Sequence, residues 1–424
     1  MKFKKKKAIE VINRRNFILA LSGAVLATAC SKGEKSPAGK PGTAPTPEPT
    51  NGDKKPELKK PEEKKPAKTA ETKTDKIRYT STIKVKTPAE VYFTKDLTPD
   101  GVMKVYEKIK DHVKGRVGFK VHFGEHGNTT YIKPHMMKKL VKHLKATLVE
   151  TNVLYVSRRK FKHTHIKLAK EHGFDFAPID ILDGDADMEL NVNLKHYGKI
   201  KIGKNTANYD MFLIFSHFKG HGSAGFGGAI KNVSMGIGSS AAKMAMHART
   251  IPAYEPDKCI KCGICVKKCP ANAITLKPLR IDPDKCIGCG ACISECPYKV
   301  ISSAKGDKST QVFLERLVEY TKAIIEYKPC VYINVLANIT SKCDCMGRPM
   351  KPFMPDIGIL ASTDIVAIDR ASLDLVNKKH KCKDAFLKES RTSGNHQLDY
   401  AEKMGIGTQK YTLIDLDKTD NKKS

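Results

Sequence analysis

Two runs of cysteines with the same spacing dominate the chemistry that this 424-residue chain could perform. In each run three cysteines stand at intervals of three residues, and a fourth follows four residues later, directly before a proline. The runs are Cys259, Cys262, Cys265 and Cys269, then Cys286, Cys289, Cys292 and Cys296. This spacing is typical of bacterial ferredoxins, whose thiolates ligate 4Fe–4S clusters.

The fourth cysteine of such a run ligates the neighbouring cluster. We therefore predict two 4Fe–4S clusters, one held by Cys259, Cys262, Cys265 and Cys296 and the other by Cys286, Cys289, Cys292 and Cys269. Structural zinc and disulfides are the alternatives, but zinc ribbons use pairs of cysteines, and a disulfide framework needs no such regularity. Residues 252–304 resemble a two-cluster bacterial ferredoxin.

A second group of reactive side chains follows the apolar run 211–215, which predicts a buried strand. The glycine-rich segment 216–232 carries His217, Lys219, His221 and Lys231 at the point where α/β proteins place ligand loops. We expect Lys219 and Lys231 to hold an anion. Imidazole and ammonium groups here suit an anionic substrate and acid–base chemistry. The alternative is a glycine-rich crossover that packs against the cysteine-rich segment.

The glycines of this segment also match a dinucleotide-binding pattern, since Gly220, Gly222 and Gly225 have its spacing. That pattern requires a helix to begin at the loop. We predict the next helix only from Ser239 onward, so a dinucleotide site is not expected.

A third group consists of Cys343 and Cys345, on the loop after the predicted strand 330–335. A disulfide between thiols one residue apart is strained. We therefore expect a soft-metal site or a redox dithiol, completed by His217 or His221, with a disulfide to Cys330 or Cys382 or plain buried thiols as alternatives. The parallel arrangement predicts that this loop and the glycine-rich segment meet in one pocket.

Short apolar strands alternate with helical patterns on both sides of the cysteine runs. Strands are predicted at 116–123, 153–156, 211–215, 330–335 and 357–361, and helices at 134–145, 163–171, 239–247, 312–327 and 364–377. This alternation predicts an α/β fold with a mainly parallel sheet. The predicted domain is discontinuous, covering 77–251 and 305–418 around an inserted α+β two-cluster ferredoxin-like domain at 252–304, with a tail at 419–424.

The N-terminal segment has the features of an export signal rather than of the fold. Residues 1–30 contain Arg14 and Arg15 before an apolar stretch too short to span a membrane, and they end in a lipobox-like sequence at Cys30. Residues 31–76 are rich in proline, lysine and glutamate and predict a disordered tether. We predict an extracytoplasmic lipoprotein, anchored to the membrane through Cys30 and exported by the twin-arginine route.

The formal net charge of +31 favours anionic partners. An acidic redox protein fits the cysteine motifs, whereas no nucleic-acid-binding motif accompanies the charge, so no nucleic acid is expected. A generally lysine-rich, solvated surface is the alternative.

Residues 217–236 and 356–369 resemble the hallmark segments of the domain of unknown function 362 family. Members often carry an inserted pair of ferredoxin motifs. The resemblance covers residues 115–418 and implies an architecture and iron–sulfur binding, but no reaction.

These observations lead to three hypotheses about function. The first is an iron–sulfur protein that transfers electrons to or from a site in the α/β domain. The second is a reductase acting at the glycine-rich segment and the Cys343–Cys345 pair, and the third is an iron–sulfur scaffold without turnover.

Overall fold

A computed structural model describes residues 86–247, 251–286, 291–302 and 307–420, which fall in one compact unit. The strands are β1 Ala89–Thr94, β2 Val117–Lys120, β3 Thr147–Glu150, β4 Ile179–Ile181, β5 Asp187–Asn191, β6 Lys199–Gly203, β7 Met211–His217, β8 Lys219–His221, β9 Gly225–Gly227, β10 Ala253–Tyr254, β11 Ile274–Leu276, β12 Leu279–Ile281, β13 Ile301–Ser302, β14 Cys330–Leu336, β15 Gly358–Ser362 and β16 Tyr411–Asp415. The helices are α1 Pro99–Tyr106, α2 His135–His143, α3 Lys162–Glu171, α4 Ala229–Ile237, α5 Ser240–His247, α6 Ile264–Lys268, α7 Ala291–Glu295, α8 Asp307–Tyr327, α9 Ile365–His380, α10 Ala385–Ser390, α11 Asn395–Lys403 and α12 Leu416–Asp420. Short 3₁₀ turns lie at Lys110–His112, Lys204–Asn208 and Pro256–Lys258.

Eight strands form one sheet in the order β16-β1-β15-β14-β7-β2-β3-β4. Only β15 runs antiparallel to its two neighbours, and the other ladders of this sheet are parallel. The predicted α/β fold with a mainly parallel sheet is therefore confirmed. The carboxyl ends of β2, β3, β7 and β14 meet at one edge, because these four strands run in the same direction.

The sheet is covered on both faces, which explains why its central strands are continuous apolar runs. Alternate residues of β7 enter two different cores: Phe212 packs with α4, α8, α9 and α11, whereas Leu213 packs with α1 and α2. The residues of β7 and nearly all of those of β14 are buried. This double burial fixes the strand register and thereby the positions of the loops that leave the carboxyl edge.

One strand prediction is wrong. Residues 153–156 are not a strand, and Val156 is 49 % exposed. The strand in this region is β3, which ends in the buried carboxylate of Glu150. Polar residues within β3 hide it from a hydrophobicity pattern, because their burial depends on ion-pair partners elsewhere in the chain.

The cysteine-rich segment forms a small body of its own. Its first strand, β10, pairs with its last strand, β13, while β11 and β12 form a hairpin between them. The short helices α6 and α7 pack against each other, and the small core contains Cys265 and Cys292 beside aliphatic side chains. The chain thus enters and leaves this body at adjacent positions.

Candidate functional site

The glycine-rich segment forms a hairpin at the carboxyl end of β7. Strands β8 and β9 pair with each other, and α4 begins directly after them, at Ala229. The expectation that no helix opens here is therefore wrong. The backbone N–H groups of Ala229 and Ile230, at the helix start, both donate to the carboxylate of Asp369 on α9, at 2.7 and 3.0 Å.

His217 is buried and bonded through both ring nitrogens. Its Nδ1 lies 2.8 Å from Oδ2 of Asp344, and its Nε2 lies 2.8 Å from the carbonyl oxygen of Ala337. Lys219 Nζ lies 3.3 Å from the same carboxylate. Burial alone would raise the pKa of Asp344, but His217 and Lys219 outweigh it and hold this pKa well below its ordinary value. Asp344 therefore anchors the loop after β14 to the glycine-rich segment.

Cys343 and Cys345 form a disulfide with each other, with their Cα atoms 5.3 Å apart. The expectation that these two cysteines do not pair with each other is wrong, and so is the alternative of disulfides to Cys330 or Cys382, which are free thiols. The redox dithiol and the soft-metal site stay predictions. The side chain of Asp344, between the two cysteines, is buried against His217 and Lys219, and both cysteines line the cavity.

His221 lies beside this disulfide. One ring nitrogen of His221 and the two sulfurs lie within 4.8 Å of one another, which makes them a possible metal-binding group. The Nδ1 atom accepts hydrogen bonds from the backbone N–H groups of Ser223 and Ala224 at 3.2 and 3.1 Å. Burial, together with Lys231 nearby, lowers the pKa of His221 well below its ordinary value. Its imidazole is therefore neutral.

These side chains surround a cavity of about 430 Å³. All five residues predicted from the sequence line it or touch its lining: His217, Lys219, His221, Cys343 and Cys345. Their assignment as catalytic groups stays a prediction.

The cavity also contains a buried ionic network that the sequence does not reveal. Glu150 lies 3.0 Å from Lys120 and 3.2 Å from Arg159, and Arg159 lies 3.9 Å from Glu125. The positions of Lys120 and Glu150 at the ends of β2 and β3 give a hint, because both strands end at the ligand edge. Lys243 also lines the cavity, but its position on helix α5 does not predict this from the sequence.

The cysteine-rich body contributes one wall of the same cavity. Lys268 of α6 and Ala291 and Glu295 of α7 line it. Lys268 precedes Cys269, and Ala291 precedes Cys292. The ligand loops of the predicted second cluster therefore border the cavity.

Four cysteines from the two runs converge at a second, smaller cavity. Cys259, Cys262, Cys265 and Cys296 line it, which is the set predicted for the first cluster. Burial raises the pKa of Cys265, and the other three thiols raise it further. The backbone N–H of Lys261 points at Cys259 Sγ at 3.4 Å, and that of Ala273 at Cys269 Sγ at 3.3 Å. Soft thiol donors with backbone N–H groups directed at sulfur fit iron–sulfur clusters.

Some predicted features lie outside the described residues. Cys289 of the second set is one of them, as are Cys30, the export signal and the tether. Cys269, Cys286 and Cys292 of that set are free thiols. Within the ranges that the structure describes, no helix is long and apolar enough to cross a membrane.

The fold and cavity define an α/β protein with a deep cleft at the carboxyl edge of a parallel sheet and a possible metal-binding group inside it. The chain belongs to the domain of unknown function 362 (DUF362) family, whose model matches residues 117–374. No curated protein matches the chain.

Two solved structures are similar to the chain in part. One is the apoprotein of lactate racemase from Thermoanaerobacterium thermosaccharolyticum, with 12% identity and a TM-score of 0.36, covering 68% of this chain and 57% of that one. The other is a protein from Thermotoga maritima, with 10% identity and a TM-score of 0.35, covering 67% of this chain and 59% of that one. The chain thus spans less than two thirds of the length of either.

Proposed function

We propose that this chain is an iron–sulfur redox protein that binds two 4Fe–4S clusters and exchanges electrons between them and the cavity at the sheet edge. The observation that carries the proposal is the shared wall: Lys268 and Ala291, each next to a cluster cysteine, line the same cavity as the Cys343–Cys345 disulfide. Bound clusters would supply one-electron transfer. The role of the protein is to place that chemistry beside a site where a second reaction can occur.

The ligand sets are those that the spacing predicts. Cys259, Cys262, Cys265 and Cys296 would hold one cluster, and their convergence at the smaller cavity supports this assignment. Cys286, Cys289, Cys292 and Cys269 would hold the other, next to the larger cavity. The first cluster would then be the outer one and the second the inner one.

Within the cavity, the disulfide is the candidate electron acceptor. Its reduction takes up two electrons and two protons, breaks the sulfur–sulfur bond and yields two thiols. One electron from each cluster matches this requirement. The protein would then be a reductase, with Lys219 and His221 beside the reacting sulfurs.

A metal-binding role for the same group is the second candidate, and the proximity of His221 to both sulfurs favours it. Reduction would release two thiols that, as thiolates, are good ligands for soft metal ions. An iron–sulfur scaffold without turnover remains the structural alternative. It predicts clusters whose reduction leaves the disulfide intact.

We also propose an acidic redox protein as the partner and an extracytoplasmic, membrane-anchored location through Cys30 after twin-arginine export. The net charge of +31 supports the partner, and the sequence of residues 1–30 supports the location. A protein that receives its iron–sulfur clusters in the cytoplasm must be exported folded, as the twin-arginine route allows. Fractionation of cells that express the full chain tests the location, and recovery in the soluble cytoplasmic fraction would contradict it.

Metal analysis tests the cluster assignment. Anaerobically purified protein should contain close to eight irons, because two cubanes hold four each. Cys296→Ala should damage the cluster to which Cys259 belongs, with the loss followed by iron content and by electron paramagnetic resonance of the reduced protein.

Cys382→Ala is the matched control, since Cys382 is a free thiol on the α/β domain, and it should leave the iron content unchanged. Zinc in place of iron in the wild type would end the proposal. Loss of the other cluster in the Cys296 variant would reverse the assignment of ligands.

A further inference from the structure

The cavity is lined by more positive than negative side chains. Seven cationic residues line it: Lys120, Arg158, Arg159, Lys219, Lys231, Lys243 and Lys268. Four of them have carboxylate partners, since Glu150 pairs with Lys120 and Arg159, Glu171 pairs with Arg158, and Asp344 pairs with Lys219. Of the other three, Lys268 belongs to the cysteine-rich body, whereas Lys231 and Lys243 lie on α4 and α5.

Lys231 and Lys243 have no carboxylate partner in the part of the chain that the structure describes. Lys243 Nζ donates only to uncharged oxygens, to Thr151 Oγ1 at 2.6 Å and to the carbonyl of Gly238 at 2.9 Å. The ammonium of Lys231 has no protein hydrogen-bond acceptor among the described residues, and Lys231 lines the cavity. Two ammonium groups thus line one cavity without a direct carboxylate partner, and only the more distant Glu150 and, for Lys243, Asp183 offset their charge.

Glycines bring the lysine side chains close together. A Cβ at Gly227 would lie 3.4 Å from Cδ of Lys231 and 3.9 Å from Nζ of Lys219, so both side chains pass over this glycine. A Cβ at Gly236 would collide with the side chain of Lys120. The absence of side chains at these two positions therefore leaves room for a dense group of amines around the cavity.

Removing an ammonium group from water without a counter-charge is unfavourable. Burial, with Lys219 and Lys243 nearby, lowers the pKa of Lys231 to about 7, and burial lowers the pKa of Lys243 to about 8. A ligand with two negative charges would restore the balance and make charge-assisted hydrogen bonds to both amines.

We propose that the cavity binds a small organic dianion, whose charged groups are held by Lys231, Lys243 and Lys219 and whose remainder faces the Cys343–Cys345 disulfide. The inference deepens the proposed function, because it rests on the cavity being the place where electrons arrive. It names the class of molecule that the cavity would hold beside the disulfide. The imidazole of His221, which lies close to both sulfurs, lines the same cavity and would contact the bound molecule.

Isothermal titration calorimetry of the cluster-containing protein with sulfate at pH 7 tests the proposal, since sulfate is a compact dianion. We expect saturable binding to the wild type. Lys231→Met and Lys243→Met should each weaken it about ten- to hundredfold, because each removes one charge-assisted hydrogen bond. Lys231→Arg should retain binding, which separates a loss of charge from a loss of folding.

Lys267→Met is the matched control, because Lys267 is an exposed neighbour of Lys268 that does not line the cavity, and it should bind sulfate as the wild type does. Titrations with inorganic phosphate and with succinate then identify the class of ligand. Tighter binding of phosphate would indicate a phosphate ester, and tighter binding of succinate would indicate a dicarboxylate. Equal sulfate affinity in the wild type and the Lys231→Met variant would overturn the proposal, and so would acetate binding as tightly as sulfate. Sulfate binding requires no electron transfer, and the cluster assignment is tested separately by iron analysis. A failure of one proposal can therefore be told apart from a failure of the other.

Discussion

The charge of Lys231 depends on groups from several elements that surround its amine. Lys120 on β2, Lys219 and His221 on β8, Lys243 and His247 on α5 and Glu150 on β3 all act on it. Only Glu150 among these carries a negative charge. The amine is therefore poised to lose its proton in the neutral pH range and to regain it when an anion arrives.

A lysine pKa in the neutral range predicts that sulfate binding depends on pH. Sulfate stays doubly charged at neutral and alkaline pH, so only the protein titrates. The pKa values of Lys231 and Lys243 are about 7 and about 8 in the free protein, and a bound anion raises them. Binding therefore takes up protons, and affinity should fall as pH rises from 7 to 9, by up to about tenfold per unit for each proton taken up.

Calorimetry in two buffers with different ionisation enthalpies measures the proton uptake directly. In the Lys231→Met variant the remaining pH dependence should shift to the range around pH 8, where Lys243 titrates. An affinity for sulfate that does not change between pH 7 and pH 9 would contradict the prediction.

Residue types on the glycine-rich segment and at Cys343–Cys345 could be predicted from the sequence, because they follow apolar strands that end at one edge. Arg159 and Lys243 could not be predicted. Their roles depend on partners such as Glu150 and Thr151, which are close in space through the fold rather than through a motif. The mutual pairing of Cys343 and Cys345 could not be predicted either, because the spacing of two cysteines alone does not show which thiols the fold brings together.

At the scale of elements, Glu315 on α8 holds two other parts of the chain in place. Two partners of its carboxylate come from the turn between β5 and β6: Lys195 Nζ lies at 2.8 Å and His196 Nε2 at 2.6 Å. The third is His396 on α11, whose Nε2 lies at 3.4 Å. Burial alone would raise the pKa of Glu315, but these partners outweigh it and lower the pKa to about 2.

A lowered folded-state pKa means that the ionised carboxylate stabilises the fold. This stabilisation is fully present above the unfolded-state pKa, near 4.5, and is lost as pH falls towards the folded-state pKa of about 2. Glu315→Gln should lower the free energy of unfolding at pH 7 by about 1 to 3 kcal/mol. The difference between wild type and variant should shrink between pH 5 and pH 3, as measured by denaturant unfolding.

Glu107→Gln is the control for this change, because Glu107 forms a solvent-exposed pair with Lys110 and should affect stability much less than Glu315 does. Release of clusters at low pH affects wild type and variants alike and cancels in the difference. A Glu315 variant with unchanged stability at pH 7 would show that the three contacts do not fasten the turn and α11 to α8.

The elements that a single sequence predicts here are those whose apolar pattern reflects burial on both faces, such as β7 and β14. Strand β1 was not predicted, because its partners β15 and β16 come from the other end of the chain. Helix α4 was not predicted either. It directly follows the glycine-rich hairpin, and its start is completed by Asp369, 140 residues away. Long-range hydrogen bonds of this kind leave no local pattern.

At the scale of the whole molecule, the proposed outer cluster lies beside two exposed apolar side chains. Ile260 and Tyr298, which line the smaller cysteine cavity, are 57 % and 58 % exposed. Lys261 and Lys299 are exposed beside them. An apolar centre with a basic rim complements an acidic redox protein, and the net charge of +31 would speed the encounter.

The double variant Ile260→Ser, Tyr298→Ser should therefore slow reduction of the clusters by an acidic flavodoxin, used as a probe, by about tenfold or more. Stopped-flow absorbance measures the rate, which should also fall as ionic strength rises. Reduction by dithionite should be unaffected, because a small molecule needs no docking surface.

Leu387→Ser, which changes an equally exposed side chain on α10, is the control and should reduce at the wild-type rate. Equal rates for the double variant and the wild type would place the docking surface elsewhere.

The pairing of β10 with β13 has a consequence for how such a chain could have arisen. Ala253 and Ser302 are direct partners in an antiparallel ladder, so their Cα atoms are about 5 Å apart. The two ends of the cysteine-rich body are therefore as close together as the two ends of a tight turn. A gene could acquire or lose this cassette without altering the order of the eight strands. The eight-stranded sheet and the lysines and histidines at its carboxyl edge would keep their places in a chain that lacks the cassette.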